Sequence, residues 1–172
     1  MIYLAAVALP IENDLAHRLE RKMIEGVPGM ETWFAEDADI KHYFAPQQNG
    51  VSGLYARSHF RKAGVWVVGH AHRHSDMAIL THGRLLVFVD GKVREIVGPS
   101  EPFVTSAGSK KVTYAVEDST LITFHPTNET DLERVEDAIF IKSQFYQEYE
   151  AARRLTDPEW NRAGKRNIKE IN

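Results

Sequence analysis

The chain has 172 residues, of which 43% are apolar and 26% charged, with 24 acidic and 21 basic side chains and a formal net charge of -3. That size and balance suit one domain with a well-buried core, exclude a fibrous or disordered chain, and argue against a general nucleic-acid binder. With no cysteine in the sequence, there is no disulfide framework, and any metal site must draw on His, Asp, Glu or other nitrogen and oxygen donors.

In chain order, the apolar opening from Met1 to Pro10 lacks a basic flank and is too short to span a bilayer, so it reads as a strand. No later apolar run approaches spanning length, and the expected setting is a cytoplasm, with a virus particle equally compatible. Ile11, Leu15, Leu19 and Met23 recur every four positions, which predicts a helix from Ile11 to Glu25, stopped by "GVPG" at Gly26 to Gly29. From Gly50 to Pro126 the chain reads as successive short strands. "GVWVVG" is one of them, and "RLLVFVDGKVREIV" is a hairpin turning at Asp90-Gly91. "KKVTYAV" and "STLITFH" follow, separated by a turn at Glu117 to Ser119. Such spacing predicts a sandwich or small barrel.

Beyond Pro126 the period changes. Thr130 and Glu133 form a capping box before Leu132, Val135 and Ile139, which predicts a helix. A second helix is expected over Ser143 to Leu155, with Phe145, Tyr149 and Ala152 on one face, ended by Asp157-Pro158. The organisation is therefore an N-terminal strand and helix extension (1–49), a β core (50–126), and a C-terminal helical extension with a polar tail (127–172). The aromatic cluster Phe140, Phe145, Tyr146 and Tyr149 is expected to pack the C-terminal helices onto the β core.

The chemistry concentrates in "GHAHRHSDMAILTHG", Gly69 to Gly83, which holds four of the eight histidines. On one extended strand, His70, His72, His74 and Asp76 would share a face. Two imidazoles at i and i+2 can reach one cation, and a nearby carboxylate completes a two-His-one-carboxylate set suited to Fe(II) and related divalent ions. Gly64, five residues, His70-Ala71-His72, three residues, Asp76, six residues and Gly83 resemble the first motif of the cupin superfamily, with Asp in place of Glu. The alternative phase, His72 with His74, loses the spacing to both glycines. His74 and His82 are then expected to be turn residues, and His17, His42 and His59 have no supporting pattern.

The resemblance implies an all-β core of the cupin type, a double-stranded β-helix or jelly-roll barrel, flanked here by an N-terminal helix and C-terminal helices. It also implies a divalent metal such as Fe, Mn, Ni or Zn held by His70, His72 and Asp76. The family's second motif is matched less well: Ser106-Ala107-Gly108 stands in the Pro-x-Gly place, Lys111 where the histidine belongs, and Ala115 in place of Asn. A protonated lysine repels a cation and suits an anionic group better, so Lys111 becomes a candidate substrate contact. Three outcomes stay open: His125 replaces the absent ligand, the first-motif groups bind metal weakly alone, or metal binding is lost. A narrower resemblance, from Gly53 to Phe140, is to uncharacterised cupin-like proteins of tailed bacteriophages, which implies a phage product in the host cytoplasm or the virion.

Two functions follow. One is a metal-dependent small-molecule enzyme of the dioxygenase or isomerase class, in which His70, His72, Asp76 and His125 are ligands and Lys111 contacts substrate. The other is a non-catalytic module for binding or virion assembly, acting as a homo-oligomer or through phage-protein contacts. No phosphate-cradling glycine loop and no serine or cysteine triad signature points elsewhere.

Overall fold

A computed structural model describes residues 15–25, 40–89 and 91–156. The expected strand at 1–10, the "GVPG" stop, Asp90 of the hairpin turn and the tail beyond 156 lie outside the described residues. The elements are α1 (Leu15–Ile24), β1 (Ile40–Ala45), β2 (Leu54–Arg61), β3 (Trp66–His72), β4 (Asp76–His82), β5 (Arg84–Val89), β6 (Lys92–Val97), β7 (Phe103–Thr105), β8 (Lys110–Ala115), β9 (Ser119–Pro126), α2 (Leu132–Ile139), β10 (Phe140–Ile141) and α3 (Gln144–Thr156). The predicted all-β core with flanking helices is present. No helix among the described residues is long and apolar enough to cross a membrane.

The strands form two five-stranded sheets, ordered β1-β2-β9-β4-β7 and β10-β3-β8-β5-β6. Every pairing is antiparallel. Of the two expected forms, sandwich or small barrel, the body takes the first: the edge strands β1 and β7 of one sheet do not hydrogen-bond to β10 and β6 of the other. Two of its strands, β1 and β10, come from outside 50–126 and carry no strong alternation in sequence.

Alternation places the core. Leu85 and Val87 of β5, Ala78 and Leu80 of β4, Ala115 of β8 and Leu121 of β9 are buried together between the sheets. A second buried cluster, Tyr55, Val135, Ile139 and Phe140, forms where α2 and β10 cover the other end. The predicted hairpin is β5–β6, in register from Arg84↔Val97 to Val89↔Lys92, with Gly91 at φ 72° in its turn. Gly83, the last residue of the first motif, takes φ 85° between β4 and β5, and a Cβ there would collide with the Asp118 carbonyl and Ser119.

The helix α1 buries a different face from the predicted stripe. Ala16, Glu20 and Met23 are inside, whereas Leu15 is 43% exposed. Glu20 is tolerated there because its Oε2 lies 2.6 Å from Lys110 Nζ of β8 and accepts a hydrogen bond of 2.8 Å from Ser143 Oγ. This buried ion pair fastens α1 to the second sheet. On α3, Phe145, Tyr146 and Tyr149 are half-buried and Ala152 is exposed; Phe145 lies beneath the Arg21 guanidinium. The side chain of Glu133 is outside the described residues; α2 starts one residue after Asp131, whose carbonyl accepts from the Val135 N–H.

Candidate metal centre

His72 ends β3 in one sheet, while Asp76 opens β4 in the other. The single extended strand expected from His70 to Asp76 breaks at Arg73 to Ser75, which form an exposed turn. This crossing places Asp76 opposite His72 rather than beside it, so the pair spans the gap between the sheets. His125 follows from β9, next to β4 in the same sheet.

His72, Asp76 and His125 are all buried, and each offers one ligand atom such that the three lie within 4.8 Å of one another. The His72 and His125 rings are 5.5 Å apart between centroids. His72 Nδ1 sits 2.9 Å from Asp76 Oδ1, a buried contact that joins the two side chains across the gap between the sheets. If Nδ1 carries its lone pair, the two face each other repulsively, an arrangement that a cation would relieve.

The donor set therefore fits a divalent metal. Ligands held tetrahedrally at about 2.0–2.2 Å stand about 3.3–3.6 Å apart, so the widest pair would close by up to about 1.5 Å on binding. His72, Asp76 and His125 would hold the ion, and two imidazoles with one carboxylate suit Fe(II), Mn, Ni or Zn.

Electrostatics keep the set ready to ligate. Burial, aided by the charge of Arg57, pushes His125 down to about 3. Burial also lowers His72, against the pull of Asp76. Both imidazoles are thus neutral at pH 7. Burial alone would raise Asp76, but His72 and Lys111 outweigh it and hold the carboxyl at about 2.

Lys111 does not stand free for a substrate. Its Nζ donates to Asp76 Oδ2 at 3.0 Å and to Thr105 Oγ1 at 2.8 Å, and its side chain is only 11% exposed. Burial lowers its pKa despite the neighbouring carboxylate. The ammonium thus compensates part of the charge that a metal would use.

His70 is not brought to this group. The β3–β8 register shifts between Val68 and Ala71, and this irregularity breaks the simple i, i+2 parity. The His70 ring instead meets Tyr146 edge-on at 4.4 Å and Phe140 at 5.8 Å. Burial and the charge of Lys110 push it down to about 3. His74 and His82 are exposed.

Tyr55 has no motif in the sequence that marks it, and Phe140 reads there only as a packing residue, yet both lie at the site. Tyr55 stacks on His125 at 5.8 Å and hydrogen-bonds His42 Nδ1 through its hydroxyl at 2.7 Å. The Phe140 ring lies 5.1 Å from His72 and 5.6 Å from His125. It also lines a cleft of about 420 Å³ bounded by Arg73, Asp137, Lys142, Gln147 and Glu150. The position of Phe140 follows from β10 pairing with β3, where Phe140 is opposite His72, and a two-residue strand after a helix has no periodic signature.

No protein-family model matches the chain, and no curated protein matches it. Among solved structures it is similar to an RmlC-like cupin from Shewanella frigidimarina, at 20% identity over 59% of this chain and 94% of that one, with a TM-score of 0.43. It is similar to KdgF from Halomonas sp., at 20% identity over 54% and 83% of the two chains, with a TM-score of 0.43. A salicylate 1,2-dioxygenase mutant from Pseudoaminobacter salicylatoxidans, solved with gentisate, shares 16% identity over 56% of this chain and 26% of that one, with a TM-score of 0.42. The narrower likeness to phage proteins finds no support in these comparisons.

Proposed function

We propose that the protein binds one divalent transition metal through His72, Asp76 and His125 and presents it to a small molecule, as a metal-dependent enzyme of the dioxygenase or isomerase class. The observation that carries this reading is the buried cluster of two imidazoles and one carboxylate, His72, Asp76 and His125, whose ligand atoms lie within 4.8 Å of one another. A bound ion would supply Lewis-acid polarisation of a substrate oxygen. The chain's own residues do the rest. His72 and His125 keep their lone pairs because burial holds them neutral. Lys111 fixes the Asp76 carboxylate in orientation through Oδ2. Phe140 keeps bulk water from the histidine rings.

The test is titration of tag-free, metal-stripped protein with Co(II), followed by visible absorption. One equivalent is expected to bind, and His72→Ala is expected to abolish the bands. Wild-type protein that develops no bands would remove this reading. One observation favours a second: Lys111 already compensates Asp76, which suits a non-catalytic cupin-type module in which the ammonium replaces the ion. A phage setting and a homo-oligomer go with either reading, and virion contacts with the second. It predicts no bound metal and no loss of stability on chelation.

A further inference from the structure

A second buried cluster lies deeper between the sheets. The inner face of β2 carries Tyr55, Arg57, His59 and Arg61 at alternate positions. Arg61 is only 6% exposed. Its Nη1 donates to Thr113 Oγ1 at 2.7 Å, and its Nη2 approaches His59 Nδ1 at 3.3 Å. Among the described residues no carboxylate pairs with it. Burial, with the charge of Arg57 adding to it, brings Arg61 down to about 9, so it is still a cation at neutral pH. A buried charge with no counter-charge among the described residues weighs heavily in a fold of ordinary marginal stability.

Two atoms of this cluster, Arg61 Nε and His59 Nε2, are buried without hydrogen-bond partners. The first is a donor by its nature. The second is a donor by consequence: Nδ1 accepts from Arg61, a guanidinium that can only donate, so the proton of the neutral ring sits on Nε2. Both orphans therefore call for an acceptor, and the charge, with no carboxylate partner among the described residues, calls for a negative one.

We propose that Arg61 and His59 form a binding site for the carboxylate group of a small molecule. A single positive charge with no carboxylate partner among the described residues matches a monoanion. The nearest other cations are already engaged: Arg57 lies over the Phe140 ring and 4.0 Å from Glu136, and Lys111 is on Asp76. A planar pair of oxygens matches the edge of a guanidinium, where two N–H groups point the same way. Thr113 holds the guanidinium in place and stands two residues along β8 from Lys111, so the carboxylate would lie about 7 Å of strand beyond the Asp76 pair. The site is built from β2 and β8 and does not depend on a metal. Where the metal reading also holds, its substrate class is a small carboxylic acid.

The experiment is thermal melting of metal-stripped full-length protein in increasing sodium acetate and, separately, sodium benzoate, against sodium chloride at equal ionic strength. The expected result is a saturable, carboxylate-specific rise in Tm, roughly 5–10 °C at about 100 times the Kd. The rise should vanish in Arg61→Met, in which the buried charge is replaced by an apolar chain of similar length. Should that variant not fold, Arg61→Lys, which keeps the charge and loses the fork, should weaken the response at least tenfold. No carboxylate-specific rise in the wild type, or an undiminished one in the Arg61 variants, would overturn the proposal. Because the protein is metal-free throughout, failure of Co(II) binding leaves this result unaffected, and the reverse also holds.

Discussion

Lowering the pH from 7.5 to 5.5 should strip the metal-free protein of a large part of its stability. His42 is pushed down to about 4 by burial and the charge of Arg57, and His70 and His125 to about 3, from an ordinary value of 6.5. The unfolded chain therefore takes up protons at these positions before the folded one does. The stabilisation from keeping the rings neutral is intact above pH 6.5 and is lost as the pH falls from 6.5 towards 3. At pH 5.5 each ring contributes a loss of about 1.4 kcal/mol, or about 4 kcal/mol for the three, against a typical total of about 5–15 kcal/mol. His59 and His72, also lowered by burial, act in the same direction. Asp76, held at about 2, adds its own loss only below its ordinary value of 3.8. In urea the midpoint should fall by roughly 2 M between the two pH values, for a slope of about 2 kcal/mol per molar. An unchanged midpoint would refute the claim that these imidazoles are buried and neutral.

Three further outcomes are expected. Glu20→Gln leaves Lys110 buried without its partner and should cost about 3–5 kcal/mol, read as a Tm lower by roughly 10 °C, while Glu20→Met with Lys110→Met should recover most of that loss. Lys111→Met leaves the Asp76 carboxylate uncompensated, so the metal-stripped variant should be less stable than the wild type by about 3–5 kcal/mol and should gain more from added Co(II) in a thermal melt. Phe140→Ala removes a fully packed ring and should cost about 3–5 kcal/mol, while speeding Co(II) uptake in stopped-flow absorption by opening the histidine cluster to the cleft.

Where the sequence is regular, the fold is legible in it. The β5–β6 hairpin shows in its two β-branched runs and turn, and Gly83 in the spacing of the histidine motif, because strand alternation and positive φ are local properties. The face of α1 is not, because a glutamate enters the core only when a lysine from a strand ninety positions away meets it, and hydrophobic periodicity cannot anticipate that pairing. The site divides in the same way. His72 and Asp76 stand out by spacing, and His125 by its place at the end of β9. His70 shares that spacing, but a register irregularity in β3 turns it towards Tyr146. Arg61 carried no sequence signal at all, since a charged residue on a short strand reads as exposed until the second sheet covers it.

The most direct measurement is metal content by mass spectrometry after equilibration with Co(II), comparing tag-free His125→Ala with tag-free His70→Ala. The geometry of the cluster predicts that His70→Ala keeps close to one equivalent and His125→Ala loses it. Retention by His125→Ala with loss in His70→Ala would contradict the assignment and return the ligand role to the His70-His72 pair.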